Sequence, residues 1–163
     1  MTHACEPIGE ILNARHEVTD DDWGDVESSI ELDSARFGSD ALLGLDSFSH
    51  VEVLFGFHRV SDAAVHVGAR HPRGRADWPK VGIFAQRGKD RPNRIGLCVC
   101  RILRVDGTTL VVQGLDAIDG SPVLDLKPYM HGFAPRGEVR EPAWAAEIMG
   151  GYWSRGGAGE STG

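Results

Sequence analysis

The sequence has few of the features that mark exported or membrane proteins. No apolar run approaches the about 20 residues that cross a bilayer, and the start, Met1–Glu10, has neither a basic leader nor a long hydrophobic stretch. The three cysteines, Cys5, Cys98 and Cys100, show no spacing typical of a disulfide framework or a zinc ribbon. We therefore expect a soluble, cytoplasmic protein with reduced thiols, no bound metal and no membrane contact.

The glycine motifs of the common nucleotide-binding folds are missing as well. No Gly-x-Gly-x-x-Gly follows a strand and opens a helix, and Gly88-Lys89 lacks the first half of a phosphate-binding P-loop. Helical periodicity is scarce before residues 141–149, and strands do not alternate with helices. A doubly wound dinucleotide-binding domain is therefore not expected.

Short strands with turn signals between them dominate instead. Alternating apolar side chains predict a core strand at 51–57, and Asp106-Gly107 predicts a type I′ hairpin. Further strands are predicted at 64–67, 81–84, 96–105, 108–113, 114–118 and 121–126. At 163 residues the chain fits one domain. We predict an all-β, mostly antiparallel, single-domain β-barrel with few short helices over residues 1–153, followed by a disordered Gly-rich tail at 154–163.

Charge is distributed unevenly along the chain, whose formal net charge is −7. Between Arg70 and Arg104 lie ten basic and two acidic side chains, a local charge of +8, whereas the remaining seven basic and 22 acidic residues give −15. This pattern predicts an anion-binding region in an acidic protein. The alternative is that the charges pair with one another on the surface, where each pair contributes ~0–1 kcal/mol.

Three clusters carry candidate chemistry, and each also has a structural interpretation. In the loop before residue 97, Arg87, Arg91 and Arg94 are suited to clamp a carboxylate or phosphate, unless the loop is purely structural. Ser49 and His50 precede the core strand, where a lone histidine is more often structural than catalytic. The third cluster comprises Asp116, Asp119, Asp125, Lys127 and Tyr129. Asp119 fits a turn and Asp125 can pair with Lys127, or else two of the carboxylates accept hydrogen bonds from ribose hydroxyls or from an amine.

In order and spacing, these clusters resemble the signature segments of the TrmO-type (TsaA-like) family. The resemblance covers about residues 7–129 and rests on five segments: Ile8-Gly-Glu-Ile11, Gly44-Leu-Asp-Ser-Phe-Ser-His50 running into Phe57-His58, Val81-Gly-Ile-Phe-Ala-Gln-Arg87, Arg91-Pro-Asn-Arg-Ile-Gly-Leu97, and Leu115-Asp-Ala-Ile-Asp-Gly-Ser-Pro-Val-Leu-Asp-Leu-Lys-Pro-Tyr129.

The resemblance implies a β-barrel enzyme that binds S-adenosylmethionine outside any Rossmann fold. It implies a homodimer that methylates the exocyclic amine of threonylcarbamoyladenosine in tRNA. The cofactor contacts that it places on this chain are Ser49, His50, Arg87, Leu97, Asp116, Ala117, Ile118 and Asp119, with an N-terminal contact segment near Ala14, Arg15 and His16.

This chain departs from the family pattern in three respects. The frequent Pro-Asn-Pro-Ile-Gly is Pro-Asn-Arg-Ile-Gly here, with Arg94 as the added charge. The aromatic and basic residues often found near positions 14–16 are replaced by Ala14-Arg15-His16. The sequence also corresponds to a short form without the additional C-terminal domain of longer members. The alternatives are therefore a methyltransferase of a small metabolite or natural-product precursor, and a non-catalytic S-adenosylmethionine sensor.

Roles in methyl transfer are assigned to the remaining polar residues as expectations. An amine that is methylated must release a proton, and we expect Asp125 to accept it, with Tyr129 and Asn93 orienting the substrate. Arg91 and Arg94 are expected to hold an anionic group of the substrate. All three clusters are expected to converge at one mouth of the barrel.

Overall fold

The computed structural model describes residues 4–154. Strands account for most of its regular structure: β1 (Gly9–Leu12), β2 (Glu27–Leu32), β3 (His50–Gly56), β4 (Ala69–Arg70), β5 (Val81–Gly82), β6 (Ile95–Asp106), β7 (Thr109–Gln113) and β8 (Pro122–Pro128). The α-helix α1 (Ala143–Met149) and short 3₁₀ turns complete the described elements. The predicted tail lies outside the described residues, except for Ser154.

Six of the strands form a closed barrel in the order β1-β2-β7-β6-β3-β8. Every neighbouring pair in the barrel is antiparallel. Closure leaves no unpaired edge along the sheet as a whole, which is how small all-β proteins avoid pairing with other chains. The predicted fold class, a mostly antiparallel β-barrel with few short helices, is confirmed.

The barrel interior is filled by alternate residues of each strand. On β3, Val51, Val53 and Phe55 are buried, and on β6 Cys98 and Cys100 face the same core. The alternation follows from the pleat of a strand, whose successive side chains point to opposite faces. The core strand predicted at 51–57 is therefore confirmed, with its bounds shifted by one residue.

Gly96 shows why a residue without a side chain is needed at the start of β6. A Cβ atom built at this position would lie 2.4 Å from the ring of Phe55, its partner in the β3–β6 register. Phe55 is among the largest fully buried side chains. The glycine thus makes room for an aromatic side chain that spans the barrel interior.

Two details of the predicted turns and strands differ from the structure. The β6–β7 hairpin forms, but its loop is Gly107-Thr108, and only Gly107 has a positive φ, 61°. A type I′ turn needs a positive φ at both central residues, whereas a type II′ turn needs one only at the first. The hairpin loop therefore fits type II′, and the predicted type I′ is wrong. The strands predicted at 64–67 and 114–118 do not form: residues 62–64 make a 3₁₀ turn, and 114–118 cross one end of the barrel without a ladder.

The C-terminal part of the described chain packs back onto the region before β2. Helix α1 begins after Pro142, as predicted, and ends in a turn at Gly150. Backbone amides of Asp22, Trp23 and Gly24 then donate to the carbonyls of Gly151, Tyr152 and Trp153. Within residues 4–154, no helix is long and apolar enough to span a membrane.

Candidate functional site

Six of the thirteen predicted site residues lie on or beside the outer face of strands β8, β3 and β6: Ser49, His50, Arg87, Leu97, Asp125 and Tyr129. In the register of these strands, Leu54 lies between Asp125 and Leu97, and Glu52 lies between Lys127 and Val99. His50 occupies the next outward position of β3, opposite Arg101. Neighbouring strands are about 4.8 Å apart, so this three-strand face is about 10 Å wide.

A cavity of about 680 Å³ opens at one end of this face. Such a volume lies within the about 300–1,000 Å³ of ordinary small-molecule sites. Its walls come from the segment before β3, from β6 and from the segment after β8. The lining residues are Ser47, Phe48, Ser49, His50, Val99, Tyr129, Met130 and His131. Two of the predicted cofactor contacts and the predicted orienting residue Tyr129 therefore share one cavity.

His50 is held in this cavity by its neighbour in the chain. The Ser49 hydroxyl lies 2.8 Å from the Nδ1 atom of His50. This contact fixes the rotation of the imidazole and leaves Nε2 for another partner. A histidine oriented in this way is suited to contact a bound ligand, which agrees with the role implied by the resemblance.

Arg87, Leu97 and Asp116 form a second group of predicted contacts beside the first half of β6. The Arg87 guanidinium donates to the Leu97 carbonyl at 2.7 Å. The Tyr152 hydroxyl donates to Asp116 Oδ2 at 2.5 Å. Burial raises the pKa of Tyr152, and the Asp116 carboxylate raises it further, whereas Arg87 opposes the shift. Tyr152 therefore stays a hydrogen-bond donor at ordinary pH.

Buried groups surround this second cluster on the barrel side. The Cys98 thiol contacts the Gly114 carbonyl at 3.2 Å. A hydrogen bond with Cys100 raises the pKa of Cys98, and burial and the Asp116 charge act in the same direction. Among the described residues, the second carboxylate oxygen of Asp116 is buried without a hydrogen-bond partner. Cys98 is thus an unreactive core thiol, whereas Asp116 retains an unused acceptor.

The two groups lie along a single outer face of β6. Leu97 belongs to the second group, Val99 lines the cavity, and Arg101 is the register partner of His50. At ~3.3 Å per residue, Leu97 lies about 7 Å from Val99 and about 13 Å from Arg101. The arginine-rich loop and the Ser-His segment are thereby connected through the exposed residues of one strand.

The other residues of the Asp-rich segment lie elsewhere. Ala117 is buried in the core, and Ile118 and Asp119 belong to the loop that crosses the barrel end near Gly56, opposite the end of β3 that carries His50. Asp119 accepts from the Asn13 amide at 3.0 Å and lies 3.3 Å from the Nδ1 atom of His16. Within one chain, the predicted convergence of all three clusters at one mouth of the barrel is therefore not observed.

The N-terminal contact segment nevertheless lies beside Asp119. The Arg15 carbonyl accepts a hydrogen bond from the Asp119 amide. A smaller cavity of about 280 Å³ adjoins this segment and is lined by Ala14, Arg15, Asp22, Asp25, Val26 and Glu27. The expected contacts therefore lie in two separate places. The 14–16 segment lies beside Asp119, whereas Ser49 and His50 share a cavity with Tyr129.

The residues expected to hold and orient the substrate are engaged by the protein itself. Arg91 donates to the Gln86 carbonyl at 3.0 Å, and Arg94 bonds the Val60 carbonyl and Asp62, each at 2.8 Å. Asn93 is exposed in the same loop, outside the cavity lining. The contact of Arg91 stays within the segment before β6, and the contacts of Arg94 hold this loop to the segment after β3.

Asp125 is also paired. Its carboxylate lies 2.6 Å from the Lys127 amine, and a hydrogen bond to Asp125 raises the pKa of Lys127. Both side chains alternate onto the outer face of β8, as the two-residue spacing predicts. The sequence left open whether these residues pair or act on a substrate, and the structure shows the pair.

The basic segment between Arg70 and Arg104 is neutralised in part by the protein's own carboxylates. The ion-paired side chains are Arg70 and Lys89 with Asp90, Arg73 with Asp21, Arg75 with Asp77, and Arg94 with Asp62. Arg101, on the outer face of β6, does not appear in these pairs. For these five of the ten basic side chains of the segment, the structure shows charge pairing, which interrupts a continuous anion-binding surface.

Sequence reasoning missed several residues of the site. Phe48, Met130 and His131 line the cavity, and Tyr152 bonds Asp116. His131 follows Tyr129 at the spacing that places two side chains on one face of an extended chain, so alternation was an available signal. No local pattern links Tyr152 to Asp116, because the two residues meet only through the packing of the C-terminal segment.

Fold and site together define a small antiparallel barrel whose candidate ligand cavity lies on the outside of the sheet. The chain belongs to the family described as the tRNA-methyltransferase O N-terminal domain, which matches residues 21–134. This match confirms the resemblance drawn from the sequence motifs.

Similar proteins support the same assignment. A human tRNA (adenine(37)-N6)-methyltransferase is 38% identical over 102 residues, which cover 63% of this chain and 23% of the human protein. The putative S-adenosylmethionine-dependent methyltransferase RcsF of Pseudomonas aeruginosa is 34% identical over 139 residues, 80% of this chain and 58% of RcsF.

A crystal structure of TrmO from P. aeruginosa superimposes with a TM-score of 0.71 at 30% identity, covering 88% of this chain and 62% of that chain. This chain therefore spans less than two thirds of each of these three proteins.

Proposed function

We propose that this chain is an S-adenosylmethionine-dependent N-methyltransferase that acts on the exocyclic amine of threonylcarbamoyladenosine in tRNA, in the cytoplasm. One observation carries the proposal: the outer face of β6 connects the cavity of Ser49 and His50 to the group of Arg87, Leu97 and Asp116. Four of the contacts expected for the cofactor, Ser49, His50, Arg87 and Leu97, thus border this face, and Asp116 lies near Arg87 through Tyr152. The relatives named for tRNA methylation and S-adenosylmethionine support the substrate and the cofactor.

The residues present fit this cofactor. S-adenosylmethionine carries positive charge on its sulfur and its α-amine, and Asp116 offers a carboxylate oxygen that has no partner among the described residues. The nearby Arg87 guanidinium matches the charge of the α-carboxylate. Ser49 and His50 would hold the other end, beside the apolar surfaces of Phe48 and Val99.

Bound there, the cofactor would supply a methyl group on a positively charged sulfur. The chain's own contribution is mainly to bind, orient and exclude water, because methyl transfer requires alignment of the reacting atoms more than acid-base chemistry. Phe48, Val99 and Met130 give the cavity apolar walls, and Tyr129 adds a hydroxyl that can orient an incoming base.

We include a homodimer in the proposal. The outward side chains Ile95, Leu97 and Val99 of β6 form an apolar stripe, each between 39% and 45% exposed, and Leu103 follows beyond Arg101. An exposed apolar stripe of this kind is typical of a protein–protein interface. A second copy placed on it would cover the ligand surface.

The decisive experiment is mass spectrometry of tRNA nucleosides after incubation of the protein with isotopically labelled S-adenosylmethionine. The tRNA is taken from a strain that lacks the native activity. We expect a labelled methyl group on threonylcarbamoyladenosine. Arg87→Ala should weaken cofactor binding in calorimetry by at least about tenfold, which corresponds to 1.4 kcal/mol. Lys80→Ala, also within the basic segment, is the matched control.

A second candidate is methylation of a small metabolite by the same cofactor. The ion pairing of the basic segment favours it, because tRNA binding depends on cationic side chains that reach phosphates. Transfer of label into a metabolite pool, with none into tRNA, would support this reading. Tight cofactor binding without any methylated product would instead indicate a sensor.

A further inference from the structure

We propose that His131 accepts the proton that the substrate nitrogen loses during methyl transfer. This inference rests on the proposed function and assigns one residue to the proton transfer that accompanies methylation. It starts from the cavity, where the 47–50 segment and the 129–131 segment both contribute to the lining. Ser49 and His50, the expected cofactor contacts, and His131 therefore line one open cavity.

The lining of the cavity combines apolar surface with a few polar groups, which suits a heteroaromatic group. Phe48, Val99 and Met130 supply apolar surface, and the polar groups come from Tyr129 and the two histidines. The rings of Tyr129 and His131 are 6.3 Å apart and meet edge to face, so each limits the rotation of the other. A base that enters this cavity would bring its exocyclic nitrogen among these groups.

Of the two imidazoles in the cavity, that of His131 is the one whose two ring nitrogens have no hydrogen-bond partner among the described residues. The Nδ1 atom of His50 is in contact with the Ser49 hydroxyl at 2.8 Å. Among residues 4–154, no hydrogen bond to the His131 ring is found, and the residue is exposed at the cavity rim. A neutral imidazole in this position can take a proton from a ligand and release it to water.

The other candidate acceptors are less suited. Asp125 is bound to Lys127 at 2.6 Å, so protonation of its carboxylate would weaken that ion pair. The phenol of Tyr129 keeps its own proton at neutral pH. The titratable groups that face His131 are His50 and Tyr129 in the cavity, with Arg101 opposite His50 on β6.

The proton balance of the step is simple. A bond forms between the substrate nitrogen and the methyl carbon while the carbon–sulfur bond breaks, and the electron pair of that bond stays on sulfur. The nitrogen then carries one proton too many, which passes to the free ring nitrogen of His131. The imidazolium returns the proton to solvent.

His131→Gln tests the assignment, with His66→Gln as a matched control that removes a partly exposed imidazole outside the cavity lining. In the wild type, kcat should fall as the pH drops through the range of about 5–8 in which imidazoles gain charge. His131→Gln should lower kcat by about 100-fold, the lower end of the range for a general base, and should remove this acidic limb. Cofactor affinity in calorimetry and KM should stay unchanged.

His50→Gln distinguishes the roles of the two histidines. This variant should weaken cofactor binding but keep the fall of kcat at low pH. Independently of turnover, NMR should show that adenosine added with S-adenosylhomocysteine shifts the ring resonances of His131 and leaves those of His66 in place. A His131→Gln variant with the wild-type kcat and pH profile would overturn the assignment of His131 but not the proposed function. The same holds if the ring resonances of His131 do not shift in the NMR experiment. A wild type that transfers no methyl group would overturn the proposed function as well.

Discussion

The contact between Tyr152 and Asp116 gives the sharpest test of the structure. Tyr152→Phe removes one hydroxyl and keeps the aromatic ring. The lost hydrogen bond ends on a carboxylate whose other oxygen already lacks a partner among the described residues. Hydrogen bonds to charged groups contribute about 1.5–3 kcal/mol, and a buried acceptor left without a donor costs a similar amount. We therefore expect the free energy of unfolding to fall by about 1.5–3 kcal/mol.

Urea denaturation and thermal melts measure this change. For a domain of this size, each kcal/mol lowers Tm by about 2–4 °C, so the expected shift is about 3–12 °C. Tyr129→Phe is the matched control, since the chain has two tyrosines and the phenol of Tyr129 faces an open cavity. Equal melting temperatures for the two variants would refute the reasoning.

The same contact predicts a dependence on alkaline pH. Because the pKa of Tyr152 is raised in the folded chain, the stabilisation is fully present below the ordinary tyrosine value of about 10. It is lost as the pH rises above that value, since only the unfolded chain then releases the proton. Denaturation series at increasing pH should show a steeper loss for the wild type than for Tyr152→Phe, and parallel curves would contradict the assignment.

The remaining predictions concern packing and electrostatics elsewhere in the barrel. Gly96→Ala should destabilise the fold by about 1–3 kcal/mol, because its Cβ would collide with the ring of Phe55. Gly82→Ala, whose Cβ would meet nothing within 4 Å, is the control in the same urea series and should be neutral or slightly stabilising. Burial, followed by the charge of Arg59, lowers the pKa of His58, while Glu10 opposes the shift. In an NMR titration, Glu10→Gln should lower that pKa further, and an unchanged value would argue against the contact.

The role of Arg94 changes once the structure is considered. As a departure from the family pattern, it adds a positive charge beside the expected site. In the structure its guanidinium bonds the Val60 carbonyl and Asp62, and its backbone adopts a positive φ of 51°. These contacts anchor the loop before β6. The guanidinium of Arg94 is therefore engaged in holding the loop and is not free to bind a substrate.

The sequence by itself determined the fold class and the family. Period-two alternation at 51–57 reports directly which side chains face the core, because neighbouring residues of a strand point to opposite sides. The Asp106-Gly107 signal located the hairpin, since few residues tolerate a positive φ. Ordered motifs identified the expected cofactor contacts even though they lie far apart in the chain.

Tertiary structure alone decided which of these residues meet. Register between β3, β6 and β8 placed Leu97, Val99, His50 and Asp125 on one outer face, and strand pairing between distant segments has no local signature. Closure of the barrel put Asp119 at the opposite end from His50. The partners of each charge, such as Lys127 for Asp125, also depend on packing, because an ion pair forms between whatever side chains the fold brings within reach.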